Sequence, residues 1–166
     1  KRDGAVDVLS YKKAGYLPDA FINYLVRLGW AHGDQEIFSV AEMIQFFSLE
    51  HVGKKGSIFD PHKLDWVNSV YIKAKSSQEL LDALTQQVDA EIVHKTASWD
   101  AHSLQKAIML YKERVKTLKE LRDNLLTLYT GPDAYVQDDV DVWMTDAGKA
   151  LLHDVLAQLQ TLTHFD

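Results

Sequence analysis

An all-α fold is the class this sequence predicts, on three observations. No alternation of apolar and polar residues persists long enough for a strand, apolar residues recur at steps of three and four, and helix punctuation returns along the whole chain. With 166 residues, 46% of them apolar and 25% charged, and only 3 Pro and 8 Gly, there is material for about one packed domain or two small ones. The same composition excludes a disordered, collagen-like or linker-dominated chain.

Each element follows from local signals. Pro18 fits a first helical turn and Gly29 a C-terminal cap, which predicts a helix over residues 19–28 carrying Phe21, Ile22, Leu25, Val26 and Leu28. Ser39 and Glu42 have capping-box spacing, each side chain satisfying the other residue's orphan backbone donor, so residues 40–47 follow as a helix. Asp60 and Pro61 open another over 61–72, with Leu64, Trp66, Val67, Val70 and Tyr71. Ser76 and Glu79 repeat the capping box before a helix over 80–93. The longest helix is expected from about residue 100 to Gly131 and Pro132, because Leu104, Ile108, Tyr111, Val115, Leu118 and Leu125 form one stripe. An acidic loop over 133–141 and a last amphipathic helix over 145–162 complete the chain. The best domain boundary lies at residues 73–77, where an aromatic-rich half gives way to a plainer helical bundle.

Charge is distributed unevenly. The net charge of −6 argues against a binder held to nucleic acid by a globally basic surface. Residues 106–122, however, hold six bases (Lys106, Lys112, Arg114, Lys116, Lys119, Arg122) against Glu113 and Glu120, whereas residues 133–166 hold seven acids against Lys149 alone. On a continuous helix Lys112, Lys116 and Lys119 line one flank of the stripe and Arg114 the other. Such a pair of segments confines a polyanion to one face; an ordinary solvated helix with an acidic neighbour has the same charges.

Most catalytic chemistry is excluded. The seven histidines make no i, i+4 pair and no H-E-x-x-H arrangement, so no metal site is expected. Asp138, Asp139 and Asp141 lack the glycine and distal glutamate of a calcium loop. Gly53-Lys54-Lys55-Gly56-Ser57 lacks P-loop spacing and reads as a turn whose Lys54 and Lys55 can touch a nucleic-acid backbone. There is no G-x-S-x-G elbow, and no serine has a base and orienting carboxylate nearby. Arg27 has two readings, a bidentate phosphate contact or an ion pair with an acid such as Asp34 or Glu36. Tyr16, Phe21, Tyr24, Trp30, Phe46, Phe47 and Phe59 read as core before base-stacking platforms. Zero cysteines leave no disulfide framework and point to the cytoplasm, and no apolar run approaches the roughly 18 residues of a membrane helix. No signal peptide opens the chain, and with no initial methionine it is expected to be a piece of something longer.

Four runs carry a resemblance: Lys1-Arg2-Asp3-Gly4-Ala5-Val6, Gly15-Tyr16-Leu17-Pro18-Asp19-Ala20, residues 23–30 (Asn-Tyr-Leu-Val-Arg-Leu-Gly-Trp) and residues 32–38 (His-Gly-Asp-Gln-Glu-Ile-Phe). Phe59-Asp60, Lys63-Leu64, Trp66, Asn68 and Tyr71-Ile72 extend it, and it returns at residues 113–120 (Glu-Arg-Val-Lys-Thr-Leu-Lys-Glu). Together they resemble the bacterial-type glutamyl-tRNA synthetases, over roughly half the chain.

The resemblance implies a helical stem-contact region over residues 1–74, following the K-M-S-K-R loop, and the first, all-α anticodon-binding domain over residues 75–166. The catalytic Rossmann domain and the last anticodon-binding domain would lie outside. Lys1 and Arg2 then look like the end of the ATP loop, and no catalytic residue is expected within the chain. In the family an arginine of the E-R-x-K-T-L segment reads the anticodon and helps separate tRNA-Glu from tRNA-Gln; Arg114 occupies that place. Lys112, Lys116 and Lys119, with Lys54, Lys55 and Arg27, are candidates for tRNA phosphates. The parent activity implied is a glutamate–tRNA ligase using ATP and Mg2+ through glutamyl-adenylate. ATP and glutamate would bind only through the catalytic domain, and a monomer without membrane contact is expected. The alternatives are a freestanding helical adaptor on a synthetase-like body, and an enzyme with an unfamiliar site.

Overall fold

The computed structural model describes residues 7–53, 56–96, 99–131 and 134–162. Lys1, Arg2, Lys54 and Lys55 lie outside these residues. Among them the regular structure is helical; the only pairings of strand type are isolated bridges, Trp30 with Val52 and His32 with Gln35. The backbone divides into two compact units, Lys1–Tyr129 and Thr130–Asp166.

In the first unit, α1 (Val8–Ala14) begins on the Asp7 carboxylate, which accepts from the Leu9 N–H, and ends at Gly15 with φ +88°. α2 (Pro18–Arg27) packs against α4 (Pro61–Ala74), which starts on Asp60 and Pro61 as the sequence predicts. Between them α3 (Val40–Phe46) carries the expected Ser39–Glu42 capping box, and Leu49–His51 forms a single 3-10 turn. α5 (Ser77–Gln87) carries the second box, Ser76 with Glu79. A core of Leu17, Leu64, Ile72, Leu84, Ile108 and Leu121, with their neighbours, runs unbroken from α2 to α8 across residues 73–77. A smaller cluster of Trp30, Phe38 and Met43 closes the end near α3.

Two expected helices are interrupted. The helix expected over 80–93 stops at Gln87, because the Val88 and Asp89 amides both donate to the Leu84 carbonyl and close the turn. α6 (Ile92–Lys95) follows without a side-chain cap; ahead of it Asp89 accepts from the Glu91 amide at 3.0 Å and pairs with Lys95 at 2.8 Å. The long helix expected from residue 100 is two: α7 (Ala101–Lys112), capped by Asp100, and α8 (Leu118–Thr130). Val115 is buried in the link between them, residues 113–117. The Thr117 hydroxyl accepts from the Glu120 amide at 3.2 Å, and the Glu120 carboxylate reaches back to the Lys116 amide at 2.7 Å. This local cap competes with one more helical turn and wins.

In the second unit the expected acidic loop is partly helical. α9 (Gln137–Trp143) takes in Asp138, Asp139 and Asp141, with two acids in its first turn, where the helix dipole favours them. Gln137 donates to Asp141 one turn on, at 2.7 Å. Thr145 caps α10 (Asp146–Thr161), matching the predicted last helix; Leu151, Leu152, Leu156 and Leu159 on it are exposed. No described helix is long and apolar enough to cross a membrane.

The caps and the half-buried phenol of Tyr71 give stability a defined pH window. Backbone and hydroxyl donors hold Glu42, Glu79 and Asp100 below their ordinary values of 4.5, 4.5 and 3.8. Their contribution is complete above those values and is lost as pH falls through the lower folded-state values. Burial, followed by the charge of Asp19, pushes Tyr71 up from 10.0 to about 12. Its contribution is complete below 10.0 and is lost as pH rises toward about 12. The melting temperature should therefore be level between these limits and fall outside both. A decline already under way at neutral pH in a circular-dichroism series would contradict this.

Candidate nucleic-acid interface

The link between α7 and α8 carries three of the basic residues singled out in the sequence, Arg114, Lys116 and, one residue into α8, Lys119. All three are exposed. The link is held on several sides. Asn68 of α4, fully buried, accepts from the Leu17 amide at 2.8 Å through Oδ1 and donates through Nδ2 to the Lys116 carbonyl at 2.5 Å. The Gly15 carbonyl accepts from the Leu118 amide at 2.8 Å. Lys116 Nζ lies 3.9 Å from Asp65, whose other oxygen accepts from the Tyr16 hydroxyl at 2.6 Å. Burial, reinforced by that bond to Asp65, raises Tyr16 well above the usual phenol range, so the hydroxyl stays a donor.

Arg114 differs from Glu113 and Lys116, and shares with Lys119 the lack of an ion-pair partner among the described residues. Glu113 pairs with Lys73 at 3.9 Å and Lys116 faces Asp65, but the Arg114 guanidinium has no ion-pair partner among the described residues. Its main chain is anchored by a hydrogen bond that its amide donates to the Tyr111 carbonyl at 2.9 Å. An exposed guanidinium on an anchored backbone is suited to a carbonyl edge, a phosphate or the face of an unpaired base.

Lys112 is not part of this surface. It is buried, and its ammonium donates to the carbonyls of Lys73 and Lys75, both at 3.0 Å, at the C-terminal end of α4. The expectation that it lies beside Lys116 and Lys119 depended on a continuous helix. With the helix broken, Lys112 instead satisfies carbonyls that α4 leaves unpaired.

Arg27 is half-buried near the other end of the unit and donates to the Trp30 carbonyl at 3.3 Å; it pairs with neither Asp34 nor Glu36. Glu36 is taken by Lys63 at 2.5 Å, and that ammonium also sits 4.0 Å above the Trp66 ring. Among the aromatic residues, Tyr24 and Trp30 are buried and Tyr16, Phe21 and Phe46 half-buried, whereas Phe47 and Phe59 are exposed. Asn68, Asp65, Gly15 and Glu120 were not candidates from sequence. Two signals point to Asn68 and Glu120: an asparagine among the apolar residues Leu64, Val67 and Ile72 of one helix, and the T-x-x-E spacing of Thr117 and Glu120.

Comparison with known proteins finds two family matches along the chain, whose limits differ from those of the two compact units. Residues 1–66 match the family described as tRNA synthetases class I (E and Q), catalytic domain, and residues 79–166 match the anticodon binding domain family. The chain is 43% identical over 162 residues to glutamate–tRNA ligase 1 of Sulfurovum sp., covering 97% of this chain and 33% of that protein. It is 41% identical over 165 residues to the glutamate–tRNA ligase of Herminiimonas arsenicoxydans, covering 98% and 34%. A solved glutamate–tRNA ligase from Elizabethkingia meningosepticum superposes with a TM-score of 0.75 at 27% identity, covering 92% of this chain and 30% of that one. The chain thus spans about a third of the length of the curated relatives it matches. Two adjoining matches in one chain, at this identity across nearly all of its length, establish that it belongs to the glutamate–tRNA ligase family of class I synthetases and carries the end of the catalytic-domain region together with the anticodon-binding domain.

Proposed function

We propose that this chain is the tRNA-binding part of an enzyme that activates glutamate with ATP and Mg2+ and attaches it to tRNA-Glu through glutamyl-adenylate. Residues 1–74 form the stem-contact region and residues 75–166 the anticodon-binding domain; the family matches on either side of residues 73–77 support that partition. The observation that carries the reading is Arg114, exposed and without an ion-pair partner among the described residues, on an anchored link. The guanidinium presents its donors to an anticodon base, while Lys116 and Lys119 lie along the phosphates and set position without reading sequence. Arg27 is a second backbone contact, Lys54 and Lys55 are further candidates for the same role, and Lys1 and Arg2 keep the place at the end of the ATP loop that the family resemblance gives them. No catalytic step is assigned to residues of this chain. The same reading puts the molecule in the cytoplasm as a monomer, in keeping with its lack of cysteine.

A fluorescence titration at low salt tests this, using tRNA-Glu and three versions each changed at one anticodon base. Binding should weaken steeply with salt, as phosphate contacts require. Arg114→Ala should remove about 1–3 kcal/mol of discrimination at one anticodon position, the worth of a good bidentate base contact. An equal loss for all four RNAs would make Arg114 a phosphate contact instead. A freestanding adaptor is favoured by one observation, the exposed leucines of α10, and would show no RNA binding at any salt concentration.

A further inference from the structure

The bonds around the link point to a residue that acts on Arg114 without touching RNA. We infer that Asn68 is a positioning residue: its buried amide fixes the α7–α8 link, and so the place from which Arg114 reads a base. This rests on the anticodon reading given above.

Three strands of backbone meet at Asn68. Its Oδ1 takes the Leu17 amide at the start of α2, and its Nδ2 takes the Lys116 carbonyl two residues beyond Arg114. A third bond, from the Leu118 amide to the Gly15 carbonyl, runs alongside and joins the same two segments. A link of five residues with no helical hydrogen-bond ladder would otherwise have freedom to shift, and a base contact loses its selectivity when the donor moves by an ångström or so. Asn68 is fully buried, and both halves of its amide have one partner each. Its spacing from those partners, 51 and 48 residues, makes it a tertiary device rather than part of a local turn.

The amide is also specific in polarity. A carboxylate at the same place still accepts from Leu17 but turns a second acceptor toward the Lys116 carbonyl, so Asn68→Asp removes one bond of the pair and leaves the other. Asn68→Ser, whose shorter hydroxyl serves only one partner, is the milder companion should the aspartate variant not fold.

The experiment has two readouts on the same proteins. The first is limited trypsin cleavage after Arg114 and Lys116 under native conditions, with cleavage after Lys106 inside α7 as the internal reference. The second is the ratio of affinities for tRNA-Glu and its three anticodon-changed versions. In Asn68→Asp, link cleavage should rise about tenfold relative to Lys106, as expected when a segment opens locally. Discrimination should drop to the level of Arg114→Ala, and the double variant should discriminate no worse than Arg114→Ala alone. Unchanged link cleavage overturns the proposal whatever happens to binding, as does a loosened link with wild-type discrimination while Arg114→Ala has lost it. If the link loosens but the wild-type protein and Arg114→Ala discriminate equally poorly, the anticodon reading fails and the positioning of the link by Asn68 stands.

Discussion

Gly15→Ala should unfold at a much lower urea concentration than the parent chain, with a loss of roughly 2–4 kcal/mol, whereas Gly33→Ala should lose only about 1. Both glycines have positive φ, +88° at Gly15 and +54° at Gly33, so both substitutions meet the steric cost of a left-handed backbone. They differ in what a methyl group would touch. At Gly33 nothing lies within 4 Å, while at Gly15 the added carbon would stand 2.5 Å from the Lys119 amide nitrogen and 2.9 Å from that of Leu118. Those atoms are backbone at the start of α8, and they yield only if the helix or the turn moves. Movement there stretches the bond from the Leu118 amide to the Gly15 carbonyl and loosens the link that carries Arg114. The difference between the two variants isolates the close approach from the torsional cost. Equal losses at the two positions would show that the turn and α8 separate freely.

The contrast between those two sites shows what the sequence makes legible. Short-range signals are readable directly: the Ser39–Glu42 box, Asp60 with Pro61, and Thr145 each start a helix within a residue of where predicted, while the Ser76–Glu79 box starts one at Ser77, three residues ahead of the expected residue 80. Thr117 and Glu120 carry the same spacing, yet they lie inside an apolar stripe that runs across them, and periodicity outweighs a single cap when only pattern is read. The bonds that decide the matter come from far along the chain. Asn68 and Gly15 are brought to the link by the packing of α2 on α4, and Lys112 finds its carbonyls 39 and 37 residues away. Its fate as an internal cap for α4 was therefore not written in its own neighbourhood. Arg114 was legible as a candidate only through the motif around it. That it has no ion-pair partner among the described residues depends on where Glu113 and Lys116 find theirs, at Lys73 and Asp65 of the neighbouring helix.

The break in the helix also changes which leucine matters, and this gives the second large effect. On a continuous helix, Leu121 would lie roughly 100° around the axis from Leu104, at the edge of the stripe and partly in solvent. After the break, α8 starts with a new phase and buries Leu118, Leu121 and Leu125 together, each at 0% exposure. Leu121→Ala should therefore lose about 2–5 kcal/mol, the cost of a cavity in a core that relaxes only in part. Leu128→Ala, about two turns further along on a side chain that is 46% exposed, should change stability by only about 0.5 kcal/mol. Urea unfolding of both variants beside the parent decides between the two registers. A small loss for Leu121 would mean that the stripe continues straight through residues 113–117, and the link that holds Arg114 would then be ordinary helix.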